Sequence, residues 1–155
     1  MFRSVILILV GSFCNAADRV PNFKDYSIGT LYRGPVAKVI LSSEFQRRFR
    51  TQILRASKQP PNFAGVYRVA EWGCGSSCVS IAVINLKTGV VRDGPFAVLG
   101  YGAPHHYEGG EYELDYRTSS RLLVARGCPE DKNCGTYYYE WIGDGFRLLR
   151  SVPAK

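Results

Sequence analysis

The residues best equipped for chemistry lie in one short segment, 71–78, which reads EWGCGSSC. Glu71 supplies a carboxylate that can act as an acid or a base, while Ser76 and Ser77 stand in glycine-rich backbone whose N–H groups can bind an anion. The alternative is a disulfide-closed turn in which the glycines adopt positive φ angles and Trp72 belongs to the core. We favour the turn and retain as candidate binding residues Glu71, Trp72, Ser76 and Ser77.

Both histidines of the chain lie in a second segment, 100–110, which is rich in glycine. Imidazole is the side chain that titrates near neutral pH, so His105 and His106 could act as general bases or, with Glu108, as metal ligands. Adjacent residues of an extended chain point to opposite sides, so the two rings are not expected to share one metal ion, and no metal-binding motif accompanies them. A surface loop is the favoured interpretation. We predict no metal ligand and no catalytic residue here, and retain His105 and His106 as candidate binding residues.

Three aromatic residues alternate along a third segment, YYYEWI, so a strand would place Tyr137, Tyr139 and Trp141 on one face. Such a face could stack on sugar rings or anchor a protein partner, because Tyr and Trp offer rigid amphipathic surface. The same alternation is typical of core residues packed against a helix, which we favour in a domain of this size. The three residues remain candidates for binding.

The start of the chain has the pattern of an export signal. Residues 1–16 combine an early positive charge at Arg3, a short apolar run and small residues near the end, as in a cleaved secretory signal peptide. The apolar run is far shorter than the roughly 20 residues that cross a bilayer. An uncleaved anchor and a lipidated Cys14 are the alternatives, and the bulky Phe13 argues against lipidation. We expect an exported protein, periplasmic or secreted, with no stable membrane span after cleavage and a single domain over 17–155.

The cysteines agree with export. Beyond the signal segment they form two close pairs, Cys74 with Cys78 and Cys128 with Cys134. An even number of cysteines in an exported protein predicts two disulfides. Three connectivities are open, and the spacings suit two local bridges, each worth about 2 kcal/mol of unfolded-state entropy. A four-thiolate zinc site is less favoured because its ligand pairs prefer shorter spacings and a reducing compartment. Free or redox-active thiols are also less favoured, since the CxxxC spacing lacks the two-residue gap of the thioredoxin-type motif.

Charge is concentrated on the one predicted helix. The chain of 155 residues carries 20 Lys+Arg against 13 Asp+Glu, with 46% hydrophobic and 13% aromatic residues, which excludes a disordered chain. The segment SSEFQRRFRTQILRAS, 42–57, predicts a helix capped by Ser42 or Ser43, with Ser43 and Gln46 at capping-box spacing. Its positive charges are Arg47, Arg48, Arg50, Arg55 and the adjoining Lys58. The favoured interpretation of these charges is a solvated face of the helix, and an anionic envelope surface or an acidic protein partner is the alternative. An exported protein rarely meets nucleic acid, so we expect no nucleic-acid partner. The expected partner is an envelope protein or polymer, and no cofactor is expected.

The rest of the chain reads as strands and turns. Turn signals such as Asp144-Gly145 join neighbouring strands into hairpins. We therefore predict a mainly β domain, an antiparallel meander forming a sandwich or open barrel, with a propeller-like sheet possible and one amphipathic helix. The predicted strands are 36–41, 65–72, 79–85, 89–92, 96–99, 112–117, 121–126, 136–142 and 146–152.

The segment NFAGVYRVAEWGCGSSC, followed by VINLKTGVV, SSRLLVARG and CGTYYYEWIGDGFRLL, resembles a family of small, exported, largely uncharacterised bacterial proteins. The resemblance covers about 49–149, and its most specific part is 62–78. Members often carry histidine where this chain has Val66, so a family-wide catalytic histidine is not expected at that position. The resemblance implies export and a single β-rich domain, and it implies no particular activity.

Two functional hypotheses follow. The favoured one is a non-enzymatic binding or inhibitor-like module of the periplasm that presents loops or an aromatic face to a protein or an envelope polymer, since no complete catalytic motif is present. The alternative is a small periplasmic hydrolase that uses Glu71 or the segment with His105 and His106.

Overall fold

A computed structural model describes residues 19–75, 78–100, 113–130 and 132–154. The predicted signal peptide lies outside the described residues, as do four of the candidate binding residues, Ser76, Ser77, His105 and His106. Within the described ranges, no helix has the length and apolar character needed to cross a membrane.

The described residues form a mainly β domain, as predicted. All eight strands join one antiparallel sheet in the order β1-β2-β4-β6-β7-β8, with β3 also pairing β2 and β5 also pairing β6, and this sheet does not close into a barrel. The elements are α1 Glu44–Arg48, α2 Arg50–Ser57, β1 Tyr67–Gly75, β2 Cys78–Asn85, β3 Val91–Asp93, β4 Leu99–Gly100, β5 Glu113–Tyr116, β6 Leu122–Pro129, β7 Gly135–Trp141 and β8 Phe146–Pro153.

The sheet has two halves that face each other across the main core. The short strand β4 connects them, because Leu99 pairs with Val79 of β2 and with Pro129 of β6. Val69 and Ile81 from the first half, β1–β3, share one buried cluster with residues of the second half, β5–β8. Burying large apolar side chains in this way is the main source of stability in such a domain.

The helices cover the other face of the first half. Ser43 caps α1, since its side chain accepts a hydrogen bond from the Gln46 N–H and the Gln46 side-chain oxygen accepts one from the Ser43 N–H, as the spacing predicted. The predicted single helix is interrupted at Phe49, where the backbone leaves helical values at φ −102° and ψ 26°. The rings of Phe45 and Phe49 both pack on Trp72, with centroids 5.7 and 4.9 Å away.

Two predicted strands are wrong for most of their length. Residues 36–41 contribute a single bridge, from Ile40 to Val90, because this segment crosses the turn between β2 and β3 instead of running beside a strand. Residues 96–99 contribute only Leu99 to a strand. At Ala97 the backbone bonds to side chains and not to a neighbouring strand. Its N–H donates to the Glu130 carboxylate, and its carbonyl accepts from Ser80 Oγ.

Candidate functional site

The site is built on β1, which pairs with β2 and forms one edge of the described sheet. The chain just before β1 folds back along its free edge. Phe63 and Tyr67 exchange two backbone hydrogen bonds of 3.0 Å each. Further along the edge, the Asn62 side chain bonds to the backbone of β1. Its Oδ1 accepts from the Val69 N–H at 2.7 Å, and its Nδ2 donates to the Val69 carbonyl at 3.2 Å.

A tight turn places Asn62 there. Ala64 and Gly65 both adopt positive φ, 40° and 79°, a region that favours glycine. A Cβ on Gly65 would lie 2.5 Å from the Thr30 carbonyl oxygen, so the second position accepts only glycine. The two prolines at 60–61 end the helical segment just upstream. The motif NFAG therefore specifies a turn that aligns Asn62 with β1.

Past Val69, no described residue pairs with the outer edge of β1. Successive residues of an antiparallel strand direct their backbone groups alternately toward and away from the partner strand. Tyr67 and Val69 direct theirs away from β2, so Glu71 and Gly73 do the same. Within the described ranges, the backbone N–H and carbonyl groups of Glu71 and Gly73 have no hydrogen-bond partner.

A cavity of about 510 Å³ lies along this edge, between α2 and β1. We call it the β1 groove. Its polar side chains come from three elements that are far apart in sequence, which gives it several hydrogen-bonding groups around an aromatic wall. It is lined by Gln52, Arg55, Ala56, Gln59, Arg68, Val69, Ala70, Glu71, Trp72 and Tyr116.

A hydrogen-bonded chain of three side chains runs along one wall of the β1 groove. Asn62 Nδ2 donates to Tyr116 Oη at 3.4 Å, and the Tyr116 hydroxyl donates to the Glu71 carboxylate. Burial raises the pKa of Tyr116, and its hydrogen bond to Glu71 raises that pKa further. The hydroxyl therefore keeps its proton at neutral pH and acts as a hydrogen-bond donor.

The opposite wall is basic. Arg55 is exposed on α2, and Arg68 donates through Nη1 to the Pro60 carbonyl at 3.1 Å. The buried Arg68 Nε and Trp72 Nε1 groups have no hydrogen-bond partner in the part of the chain that the structure describes. Arg55 belongs to a basic face of the two helices that makes no ion pair with a described carboxylate. The exposed cations of this basic face are Arg47, Arg48, Arg50, Arg55 and Lys58.

The three aromatic candidates, Tyr137, Tyr139 and Trp141, do not line the β1 groove. Tyr139 and Trp141 lie in the main core, 8% and 2% exposed, and Tyr137 is half-buried beside them. They pack between the two halves of the sheet and not against the helices. Burial raises the pKa of Tyr139 to about 12, with a smaller contribution from Tyr137. Tyr139 and Trp141 are therefore core residues on which a ligand cannot stack, whereas Tyr137 is partly exposed and lines a separate cavity of about 330 Å³.

Of the candidates, Glu71 and Trp72 lie together in the β1 groove, and Trp72 also packs in the core below the helices. Sequence reasoning did not find Tyr116, Asn62 or Arg68. Asn62 had a signal, since it lies within the most specific stretch of the resemblance. Tyr116 had none, because it is 45 residues from Glu71 along the chain.

A second cavity, of about 400 Å³, lies at the other end of β1, where Tyr67 meets Trp141. Glu140 lies at its wall, 5% exposed. Its carboxylate bridges two guanidinium groups: Arg121 Nη1 lies 2.5 Å from Oε1, and Arg147 Nη2 contacts Oε2. This ion-pair cluster connects β7, β8 and the residue before β6.

The two disulfides are local. Cys74 bonds Cys78 across the end of the β1–β2 hairpin, and Cys128 bonds Cys134 between β6 and β7, with Cα–Cα distances of 5.4 and 4.0 Å. The prediction of two disulfides is confirmed. Disulfides persist in oxidising surroundings, so they indicate a non-cytoplasmic compartment.

No known protein family, no curated protein and no solved structure matches this chain.

Proposed function

We propose that this protein is a non-enzymatic binding module, periplasmic or secreted, that recognises an acidic protein partner through the β1 groove. The proposal combines an oxidising compartment, supported by the two disulfides, with the signal-peptide pattern of residues 1–16.

The observation that carries the proposal is the uncompensated positive charge beside the β1 groove. The five cations of the basic face have no ion-pair partner among the described residues, and Arg55 extends this charge into the groove itself. Surface charge of one sign attracts a partner of the opposite sign and fixes its orientation, and charged pairs at the rim speed association. An acidic partner is the complement of this surface.

The wall formed by Glu71 and Tyr116 supports recognition more than catalysis. A hydrolase that uses Glu71 would need further catalytic groups beside it, and the described residues that line the β1 groove include no histidine and no second carboxylate. Here Glu71 accepts a hydrogen bond from Tyr116, and the raised pKa of Tyr116 keeps that hydroxyl protonated. The pair is suited to a fixed pattern of hydrogen bonds.

Affinity purification from an envelope extract tests the proposal. The mature protein, Arg55→Glu and Lys87→Glu would each serve as bait, at low and at high salt. Lys87 is an exposed cation in the turn after β2, at the end of the β1–β2 pair away from Trp72, so its reversal makes the same change of charge outside the groove. We expect an acidic protein to be captured at low salt by the unmodified protein and by Lys87→Glu, and to be lost with Arg55→Glu or at high salt. Equal capture by all three baits, or no specific protein with any of them, would contradict the proposal.

A further inference from the structure

We propose that the partner's contacting segment is an extended acidic peptide that adds to the free edge of β1 as an antiparallel strand; this inference rests on the proposed function. The open edge supplies the hydrogen-bonding positions. Glu71 and Gly73 each offer one N–H and one carbonyl with no partner in the described chain, at the two-residue spacing of a strand. Unpaired edges of this kind bind peptides by strand addition.

The chain already occupies the first part of this edge. Phe63 pairs with Tyr67 in antiparallel fashion, and the Asn62 side chain imitates a strand residue at Val69. An added strand would continue the hydrogen bonds along the outer edge of β1 from the point where those of Asn62 end. It would run antiparallel, as do all the ladders of this sheet.

The geometry of β1 assigns a side to each residue of the added strand. Ala70 and Trp72 face the helices, whereas Val69 packs in the main core and Glu71 lies on that same side of β1. In antiparallel addition, peptide residues that bond to Glu71 and Gly73 carry side chains on the Glu71 side. The residues between them face α2, where Arg55 and Arg68 line the groove. Acidic residues at these alternate positions would meet the guanidinium groups.

A second copy of the protein is a poorer occupant of the same edge. Two copies that paired edge to edge around a two-fold axis would use the same surface on both sides. The two basic faces, each with five unpaired cations, would then be brought toward each other, and like charges would oppose the pairing. The charge of the surface therefore favours an acidic peptide.

Synthetic peptides test strand addition directly. The probe is acetyl-Val-Thr-Glu-Thr-Asp-Thr-Val-amide, in which the acidic residues share one face and the threonines the other. Its affinity would be measured by calorimetry, together with amide chemical shifts of the protein. We expect the largest shifts at Glu71 and Gly73, and at least tenfold weaker binding when Lys replaces both acidic residues.

Two methylated forms of the probe isolate the backbone contribution. N-methylation of the threonines removes the N–H groups that would bond to β1, so binding should weaken at least tenfold; N-methylation of the Glu and Asp residues should be tolerated. Gly73→Pro in the protein should mimic the first effect, because it removes an outward N–H while the bonds of Trp72 to β2 remain. The methylated peptides are measured with the unmodified protein, so their result does not depend on whether Gly73→Pro folds.

Equal affinities for the two methylated peptides, the reverse order, or no binding of the acidic probe would overturn strand addition. So would a concentration-dependent dimer that Gly73→Pro abolishes, since the occupant would then be a second copy. If the probe fails but Arg55→Glu still loses the captured envelope protein, the proposed function stands and only strand addition falls.

Discussion

The side chain of Asn62 completes the edge of β1 at Val69, accepting from its N–H at 2.7 Å and donating to its carbonyl at 3.2 Å. One side chain thus satisfies both backbone groups of an edge residue. Among the described residues the pairing stops there, and the outward backbone groups of Glu71 and Gly73 have no partner.

Asn62→Ala should lower the free energy of unfolding by about 1–3 kcal/mol, because it leaves the Val69 backbone groups without their partner. Urea denaturation followed by fluorescence would measure the change. Asn22→Ala is the matched control, since Asn22 bonds exposed groups of Asp25 and Lys24, and it should change stability by less than about 0.5 kcal/mol. Equal losses in the two variants would show that Asn62 has no special role at the edge.

Stability should fall as the pH rises above 10. An unfolded tyrosine loses its proton near pH 10, whereas the folded protein holds the protons of Tyr116 and Tyr139 to higher pH, to about 12 for Tyr139. The folded state then binds more protons than the unfolded state, so the free energy of unfolding decreases by up to about 1.4 kcal/mol per pH unit for each tyrosine. Denaturation between pH 9 and 12 should show a shallower decline in Tyr116→Phe and in Tyr139→Phe. An unchanged slope in both variants would contradict the assignment.

Glu140→Gln should destabilise the domain by about 1.5–3 kcal/mol, because the variant loses the charge that holds Arg121 and Arg147. Asp115→Asn removes a carboxylate of an exposed pair, 4.0 Å from Arg117, and should cost less than about 0.5 kcal/mol. Thermal unfolding of both variants would check this. Similar melting temperatures for the two would show that the buried carboxylate contributes no more than a surface one.

The two disulfides fix the mass of the intact protein, and their removal should lower its free energy of unfolding only modestly. The oxidised protein should be lighter than the reduced chain by four hydrogens, and proteolysis should give peptides that link Cys74 to Cys78 and Cys128 to Cys134. Each bridge closes a short loop, so removal of one should cost about 2 kcal/mol. Peptides that link the two pairs to each other would refute the local arrangement.

Local patterns predicted much of the fold. The Ser43 cap, the hairpin strands and the disulfides all depend on residues close in sequence, and each is found. The strand predicted over 36–41 fails because apolar character alone does not provide a neighbouring strand. The break at Phe49, whose ring packs on Trp72, has no signal in the helical periodicity of the segment.

The sequence predicted only some of the residues of the candidate site. Glu71 and Trp72 attract notice because they are adjacent, and the β1 groove contains both. Their partner Tyr116 comes from a distant strand, and the open backbone at Gly73 depends on which edge of β1 faces β2. The aromatic alternation of Tyr139 and Trp141 is equally compatible with a surface and with a core, and burial alone distinguishes them.

Site-specific photo-cross-linking in living cells tests whether the β1 groove binds an acidic protein. A benzophenone amino acid would replace Gln52, which lines the β1 groove, or Lys87, which lies outside it. We expect one discrete adduct with an acidic envelope protein from position 52, lost when Arg55→Glu is added, and no such adduct from position 87. The same adduct from both positions, or an adduct at position 52 that survives Arg55→Glu, would contradict recognition through the β1 groove.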